Sequence, residues 1–502
     1  LVAARSAEET TALKAMIEKL VAGQVAAAGP AADAETVERV REAAEAIAAE
    51  GGAQEAALAR IAAGDEGGFD DLARLAAEAA LAARQSAAEA EDRASAAAQE
   101  WAQIGDLAYM NHPQRALAAY KAATTLAPGD ARIWNRIGSL KLRTGELADA
   151  EWVFRKVQKL AGEDRSFEAA ALGNLGIIAR TRGDLTAAEE FCREALALYE
   201  ALGSKEDMAA ALTNLGVIAT TRGDLTAAEK FCREALALNE ALGRKAGMAI
   251  NLGNLGTIAL TRGDLTAAED FYRKALALNE ALGRKEGMAA NLGNLGNIAG
   301  TRGDLSAAED FHTRALALYE ALGSKEGMAN KLGNLGIIAM TRGDLGAAED
   351  FYRQSLALEE ALGSKEGMAN QLGNLGIIAL KRGDLGAAED FCGRALALIE
   401  ALGSKEGMAK QLGNLGHVAL ARGDLAAAED FYRQSLTLNE ALGRKLGMAA
   451  DLGNLGIIAD KRGDFGAAED FYRQSLALNE ALGRKEGMAA DFSNLGWIAL
   501  TR

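Results

Sequence analysis

The chain has 502 residues, 49% of them apolar but only 5% aromatic, and a formal net charge of −16. That balance leaves no basic footprint for nucleic acid, and no apolar stretch reaches the ~20 residues that a membrane-spanning helix needs. Three prolines stand against 56 glycines, Ala and Leu abound, and period-two runs of Val, Ile and Thr are missing, so an all-α chain packed through small residues is expected.

Residues 1–97 read as an acidic, Ala-rich helical region. Within 1–100, nine Lys or Arg face nineteen Asp or Glu, which places −10 of the charge there. Helical stretches are expected at 6–27, 34–49, 53–63 and 69–98, separated by Gly29-Pro30, Gly51-Gly52 and the Gly64 to Gly68 segment. The last stretch, running from Asp71 to Gln99, suits either a coiled coil or a cap on the segment that follows, the cap being favoured.

Residues 98–170 hold two irregular units of one pattern. Trp101-x2-Ile104-Gly105 is followed by Ala116, Tyr120, Ala123 and Pro128, and Trp134-x2-Ile137-Gly138 by Ala150, Phe154 and Val157. From 171 to 502 the pattern becomes regular. Asn174, Asn214, Asn254, Asn294, Asn334, Asn374, Asn414, Asn454 and Asn494 recur every 40 residues. A fixed period of this size predicts a solenoid, in which each unit buries its apolar face against its neighbours.

One unit shows the physics. Leu252, Leu255, Ile258 and Ala259 make one apolar helical stripe. Gly263 allows the turn and Asp264 caps the next helix, whose stripe is Leu265, Ala268, Phe271, Tyr272, Ala275, Leu276 and Leu278. Eleven first helices are counted, starting near Trp101, Trp134, Leu172 and then every 40 residues to Phe492, the last without a second helix.

This W-x2-LG…A…F…P pattern resembles the tetratricopeptide repeat, a helix-turn-helix unit. The 40-residue units resemble those of the Partner-of-Inscuteable type of adaptor, bacterial arrays and, more loosely, kinesin light chains. The resemblance implies an α-solenoid forming a right-handed superhelix, here preceded by the acidic segment, that binds proteins or peptides. The six residues beyond the usual 34 are expected to lengthen the helices by about a turn.

In the family, first helices line the concave groove. Carried over, this places Asn174, Asn214, Asn254, Asn294, Asn334, Asn374, Asn414 and Asn454 on a peptide-binding face. It resembles the asparagine ladder of O-GlcNAc transferase, where the amides hold peptide main chain. Asn offers an acceptor and two donors, so it can pair with the N–H and C=O of any extended peptide. The competing expectation is that each Asn bonds a neighbouring turn and supports stacking. The glycine before seven of these asparagines costs ~1 kcal/mol relative to Ala inside a helix, which suggests close approach by a ligand or by the next helix. Residues three and six places after each Asn, such as Ile337, Met340, Ile377 and Leu380, vary between units and are expected to line the same face. Arg132, Arg136, Arg143 and Arg180 form a basic set. By resemblance, Arg132 and Arg136 match positions that clamp a peptide C-terminal carboxylate, although Gln103 stands where that clamp has Asn. Lys381, Lys410 and Lys461 form a milder set.

Catalysis is not expected. His112, His312 and His417 lack metal-ligand spacing, no P-loop occurs, and the repeated Arg-Gly-Asp triplets mark turns. Cys192, Cys232 and Cys392 share one second-helix position with tyrosines and His312, so they read as packing residues, and free thiols suit a reducing, cytoplasmic setting. No cofactor or metal is expected. The chain starts at Leu1 and stops inside a repeat at Arg502, as a fragment would, which leaves open a targeting or anchoring segment before Leu1. The function expected is a protein-interaction scaffold for a peptide or helical segment. The alternatives are the sensor or regulatory arm of a larger signalling or defence protein, and a self-assembling array.

Overall fold

The computed structural model describes residues 7–28, 34–83, 90–162 and 164–501, and among these it is all helix, without a strand. The N-terminal region supplies α1 (Ala7–Ala28), α2 (Ala34–Glu50), α3 (Gly52–Ala62) and α4 (Gly67–Ala83). Two irregular pairs follow: α5 (Ala90–Ala108) with α6 (Pro113–Leu126), and α7 (Ala131–Arg143) with α8 (Leu147–Ala161). The regular units begin with α9 (Arg165–Thr181), α10 (Leu185–Leu202), α11 (Lys205–Arg222), α12 (Leu225–Ala241), α13 (Lys245–Thr261) and α14 (Leu265–Ala281). They continue through α15 (Lys285–Thr301), α16 (Leu305–Leu322), α17 (Lys325–Thr341), α18 (Leu345–Leu362), α19 (Lys365–Arg382) and α20 (Leu385–Leu402). Last come α21 (Lys405–Arg422), α22 (Leu425–Ala441), α23 (Lys445–Lys461), α24 (Phe465–Ala481) and α25 (Lys485–Thr501).

The stretch expected at 69–98 corresponds to parts of two helices. Gly67–Ala83 is α4, whereas Ala90–Ala108 runs through Trp101 as the first helix of the first irregular unit. The reason is packing: Ala97, Ala98, Ala102, Ile104, Leu107 and Ala108 are buried along α5, and this stripe lies against α6, α2 and α4. Residues 84–89 and the Gly29-Pro30 break lie outside the described residues.

Helices α6, α7 and α8 have 14, 13 and 15 residues, while those of the regular units have 17 or 18. The longer repeat is therefore taken up as extra helix. Capping follows the sequence: Asp264 accepts a bond from the Ala267 N–H at 2.9 Å, and Gly263 turns the chain with φ +81°. The preceding Arg of the triplet staples neighbouring units. Arg262 pairs with Glu229 and donates to the Leu225 carbonyl at 2.9 Å, and Arg382 does the same with Glu349 and Leu345 at 3.0 Å.

The chain divides into two compact units, one through Asn291 and one from Leu292. In the first, one continuous cluster links the N-terminal helices to the irregular pairs through Val40, Leu58, Leu72, Leu107, Tyr120 and Phe154. Its regular part carries small repeated clusters, such as Cys192 with Leu215 and Ile218. The second unit repeats that small cluster, with Tyr352, Leu375 and Ile378 in one junction and Tyr432, Leu455 and Ile458 in another. No helix among the described residues is long and apolar enough to cross a membrane.

Candidate functional site

Each ladder asparagine is half-buried on a first helix. Three make bonds, all within their own helix. Asn174 Nδ2 donates to the Ala170 carbonyl at 3.0 Å, Asn334 Nδ2 to Asn330 Oδ1 at 3.5 Å, and Asn414 Nδ2 to Gln411 Oε1 at 3.1 Å. The Asn254 Nδ2 is buried and has no hydrogen-bond partner. Among the described residues no ladder asparagine bonds a neighbouring unit. Beside the ladder, the residues three places on are partly or fully open to solvent, Ile377 and Ile457 half-buried and Ile337 at 49% exposure.

Besides the arginine staples, bonds between units come from members of a second row, three residues before the ladder Asn and polar from Asn251 onward, which sequence reasoning missed. Asn251, Lys331, Gln371, Gln411, Asp451 and Asp491 are all buried. Asn251 Oδ1 accepts from the Thr213 hydroxyl of the preceding unit at 3.1 Å. Asp451 accepts from Ser435 Oγ at 2.9 Å and Asn439 Nδ2 at 2.8 Å, and Asp491 repeats this with Ser475 and Asn479. The signal was available as a polar residue of changing identity before a recurring Leu, in Ala-Asn-Lys-Leu, Ala-Asn-Gln-Leu and Ala-Ala-Asp-Leu.

This row also accounts for the glycines before Asn. A Cβ on Gly293 would stand 2.5 Å from Lys331 Nζ, one on Gly333 3.3 Å from Gln371 Nε2, and one on Gly373 2.8 Å from Gln411 Nε2. At these positions the close approach comes from the next first helix. Gly173 and Gly413, by contrast, have nothing within 4 Å.

The arginines near the start of the array meet carboxylates of their own chain. Arg136 pairs with Asp106 at 2.9 Å, and Asp106 also accepts from the Tyr120 hydroxyl at 2.6 Å. Burial pushes the Asp106 carboxyl above its ordinary range, against the pull of Arg136 and Tyr120. Arg132 binds Asp130, the residue that caps its own helix, at 2.8 Å. Both arginines, with Gln103, line a cavity of about 260 Å³ that Arg39 and Glu42 also reach. Arg143 is held by the carbonyls of Met110 and Tyr109. Arg180 is half-buried close to Cys192 and has no ion pair among the described residues.

The groups suited to catalysis are muted. Burial raises the Cys192, Cys232 and Cys392 thiols to about 11, so thiolate is scarce at neutral pH. His312 is buried, its Nδ1 without a partner, and burial together with Lys331 lowers it to about 4. Among the described residues, no group of three or more His, Cys, Asp or Glu converges as a metal site would require.

Comparison with known proteins agrees with this geometry. The family description "MalT-like TPR region" matches residues 148–321 and 209–401, and two further tetratricopeptide-repeat descriptions match 407–481 and 101–165. No curated protein matches the chain. Among solved structures, it is similar to a STAND (Signal Transduction ATPase with Numerous Domains) protein with a tetratricopeptide repeat sensor from Pyrococcus horikoshii. That likeness has 14% identity and a TM-score of 0.53, over 75% of this chain and 55% of that one. The chain thus spans about half the length of that protein. It is also similar to the apo form of the quorum sensor NprR from B. thuringiensis, with 14% identity and a TM-score of 0.52, over 69% of this chain and 99% of that one. At such identities the likeness is one of fold.

Proposed function

The chain belongs to the tetratricopeptide-repeat family, and from that premise we propose that it is an interaction module that binds an extended peptide or short helical segment of a protein partner. The partner lies along the ladder face, where the asparagine side chains pair with its main chain and the variable residues beside them select its side chains. The observation that carries this reading is the state of the ladder. Its asparagines are half-buried, repeat every 40 residues, and make no bond to a neighbouring unit among the described residues, where other side chains such as Asn251 and Arg262 make such bonds. The orphaned Asn254 Nδ2 supports it further, because a buried donor without a partner is costly unless something supplies the acceptor.

The experiment pans a displayed random-peptide library on the chain and measures the enriched peptides against a variant with Asn294, Asn334 and Asn374 changed to Ala. Each lost main-chain bond is expected to weaken binding by about 1 kcal/mol, with helix content and melting unchanged. Failure to enrich any peptide, or unaltered affinity in the variant, overturns the reading.

A further inference from the structure

In every regular unit that has a second helix, one side chain of that helix runs beneath the glycine that closes Asn-Leu-Gly. A Cβ on Gly336 would meet the Tyr352 ring at 2.5 Å, one on Gly416 the Tyr432 ring at 2.7 Å, and one on Gly376 the Cys392 Sγ at 2.5 Å. Where that side chain is Tyr, its hydroxyl can reach the ladder face. Tyr272 Oη lies 3.0 Å from Thr257 Oγ1, and Tyr432 Oη lies 2.9 Å from His417 Nδ1. Thr257 and His417 each stand three residues past a ladder asparagine. A tyrosine therefore plugs the space between the helix pair and the ladder face.

Cys392 is too short to do so. A cavity of about 320 Å³ opens there between α19 and α21, with a mostly apolar lining supplied by Ile377, Leu380, Cys392 and Val418. Its polar contributors are Asn414, Lys381 and His417, and no carboxylate lines it. Lys381 has no ion pair among the described residues. Asn414 donates through Nδ2 to Gln411, which leaves its Oδ1 as an acceptor beside the opening. An apolar cavity of about 150 Å³ already admits a benzene ring, so this one has room for a large side chain. The same slot at Cys192 differs, because the residue corresponding to Leu380 is Arg180, close enough to influence the thiol.

We propose that this cavity is a specificity pocket that takes one branched aliphatic or aromatic side chain of a bound peptide, with an acidic residue next to it in the peptide. The inference rests on the ladder face being the peptide-binding surface. Asn414 accepts a main-chain N–H at the pocket, the apolar side chain displaces water from Ile377, Leu380 and Val418, and Lys381 meets the neighbouring carboxylate. The cysteine serves by being small.

The test uses the whole chain and acetylated tetrapeptides whose second residue is Leu, Phe or Ala, beside Asp or Lys. Methyl resonances of Ile377, Leu380 and Val418 report occupancy. The Leu-Asp and Phe-Asp peptides are expected to shift these methyls, the Ala peptides to bind about tenfold more weakly or worse, and the Lys peptides to lose the low-salt enhancement. Cys392→Tyr restores the plug found at Tyr352 and Tyr432 and should abolish the shifts while preserving the melting temperature. If that variant fails to fold, Leu380→Arg, copying the unit of Arg180, fills the same space. Absence of methyl shifts with every peptide, or equal binding by the plugged variant, overturns the pocket. Loss of binding on plugging with full binding after ladder substitution would instead keep the pocket and overturn the ladder reading.

Discussion

The arginines of α7 and the asparagines of α15 to α21 meet opposite fates when the chain folds. In the sequence both look like ligand contacts. In the structure Arg136 is committed to the buried Asp106 and Arg132 to its capping Asp130, so an incoming carboxylate would have to displace two that are already in place. The asparagines bond at most within their own helices and remain half-buried beside open apolar residues. Charge in a sequence measures what a residue can do; only the neighbours decide whether it is free to do it.

The contrast extends to stability. Around Arg136 the core is one continuous cluster, whereas α17 to α25 hold separate small clusters at each junction. Leu58→Ala and Leu375→Ala each remove a buried Leu side chain and should each cost ~2–5 kcal/mol. The first is expected to lower one cooperative transition of the N-terminal helices; the second should split off a local one. Calorimetry with hydrogen exchange distinguishes these outcomes, and identical cooperative loss from both would break the comparison.

Arg136→Ala comes next. It leaves Asp106 buried without its cation, and because Arg136 keeps some exposure the expected loss is about 2–3 kcal/mol, read by denaturant melting. Unchanged stability with weakened peptide binding would return Arg136 to the ligand-contact class.

A smaller effect lies in the second polar row. Burial raises Asp451 to about 6, although bonds from Asn439 and Ser435 pull the other way. An unfolded aspartate titrates near 4. Between about pH 4 and 6 the folded chain holds a proton that the unfolded chain releases, so this group makes stability fall as pH rises through that window and then level off. Asp451→Asn should abolish the fall and add on the order of 1 kcal/mol at pH 7. A variant with the wild-type pH profile would remove Asp451 from this role.

Much of the fold was legible in the sequence because it is local. The caps Asp264 and Gly263, the Leu252 to Ala259 stripe and the α1 to α3 boundaries follow from neighbouring residues and sit within a residue or two of their expected places. The partition at α4 and α5 was not legible, since an Ala-rich run continues through both and only packing against α2 and α6 separates their roles. The site was legible in part. Asn414 and the variable Ile377 and Leu380 could be named from spacing, but Lys331 over Gly293, or Asp106 beneath Arg136, joins residues 30 or more apart. No local pattern encodes such pairings.

The most direct measurement follows the side-chain amide resonances of Asn294, Asn334 and Asn374, together with the Arg132 and Arg136 guanidinium signals, as a library-selected peptide is titrated in. The account predicts that the three amides shift in step with binding while the two guanidinium signals stay where Asp130 and Asp106 hold them. Shifts confined to the arginines, with unmoved asparagine amides, would contradict it.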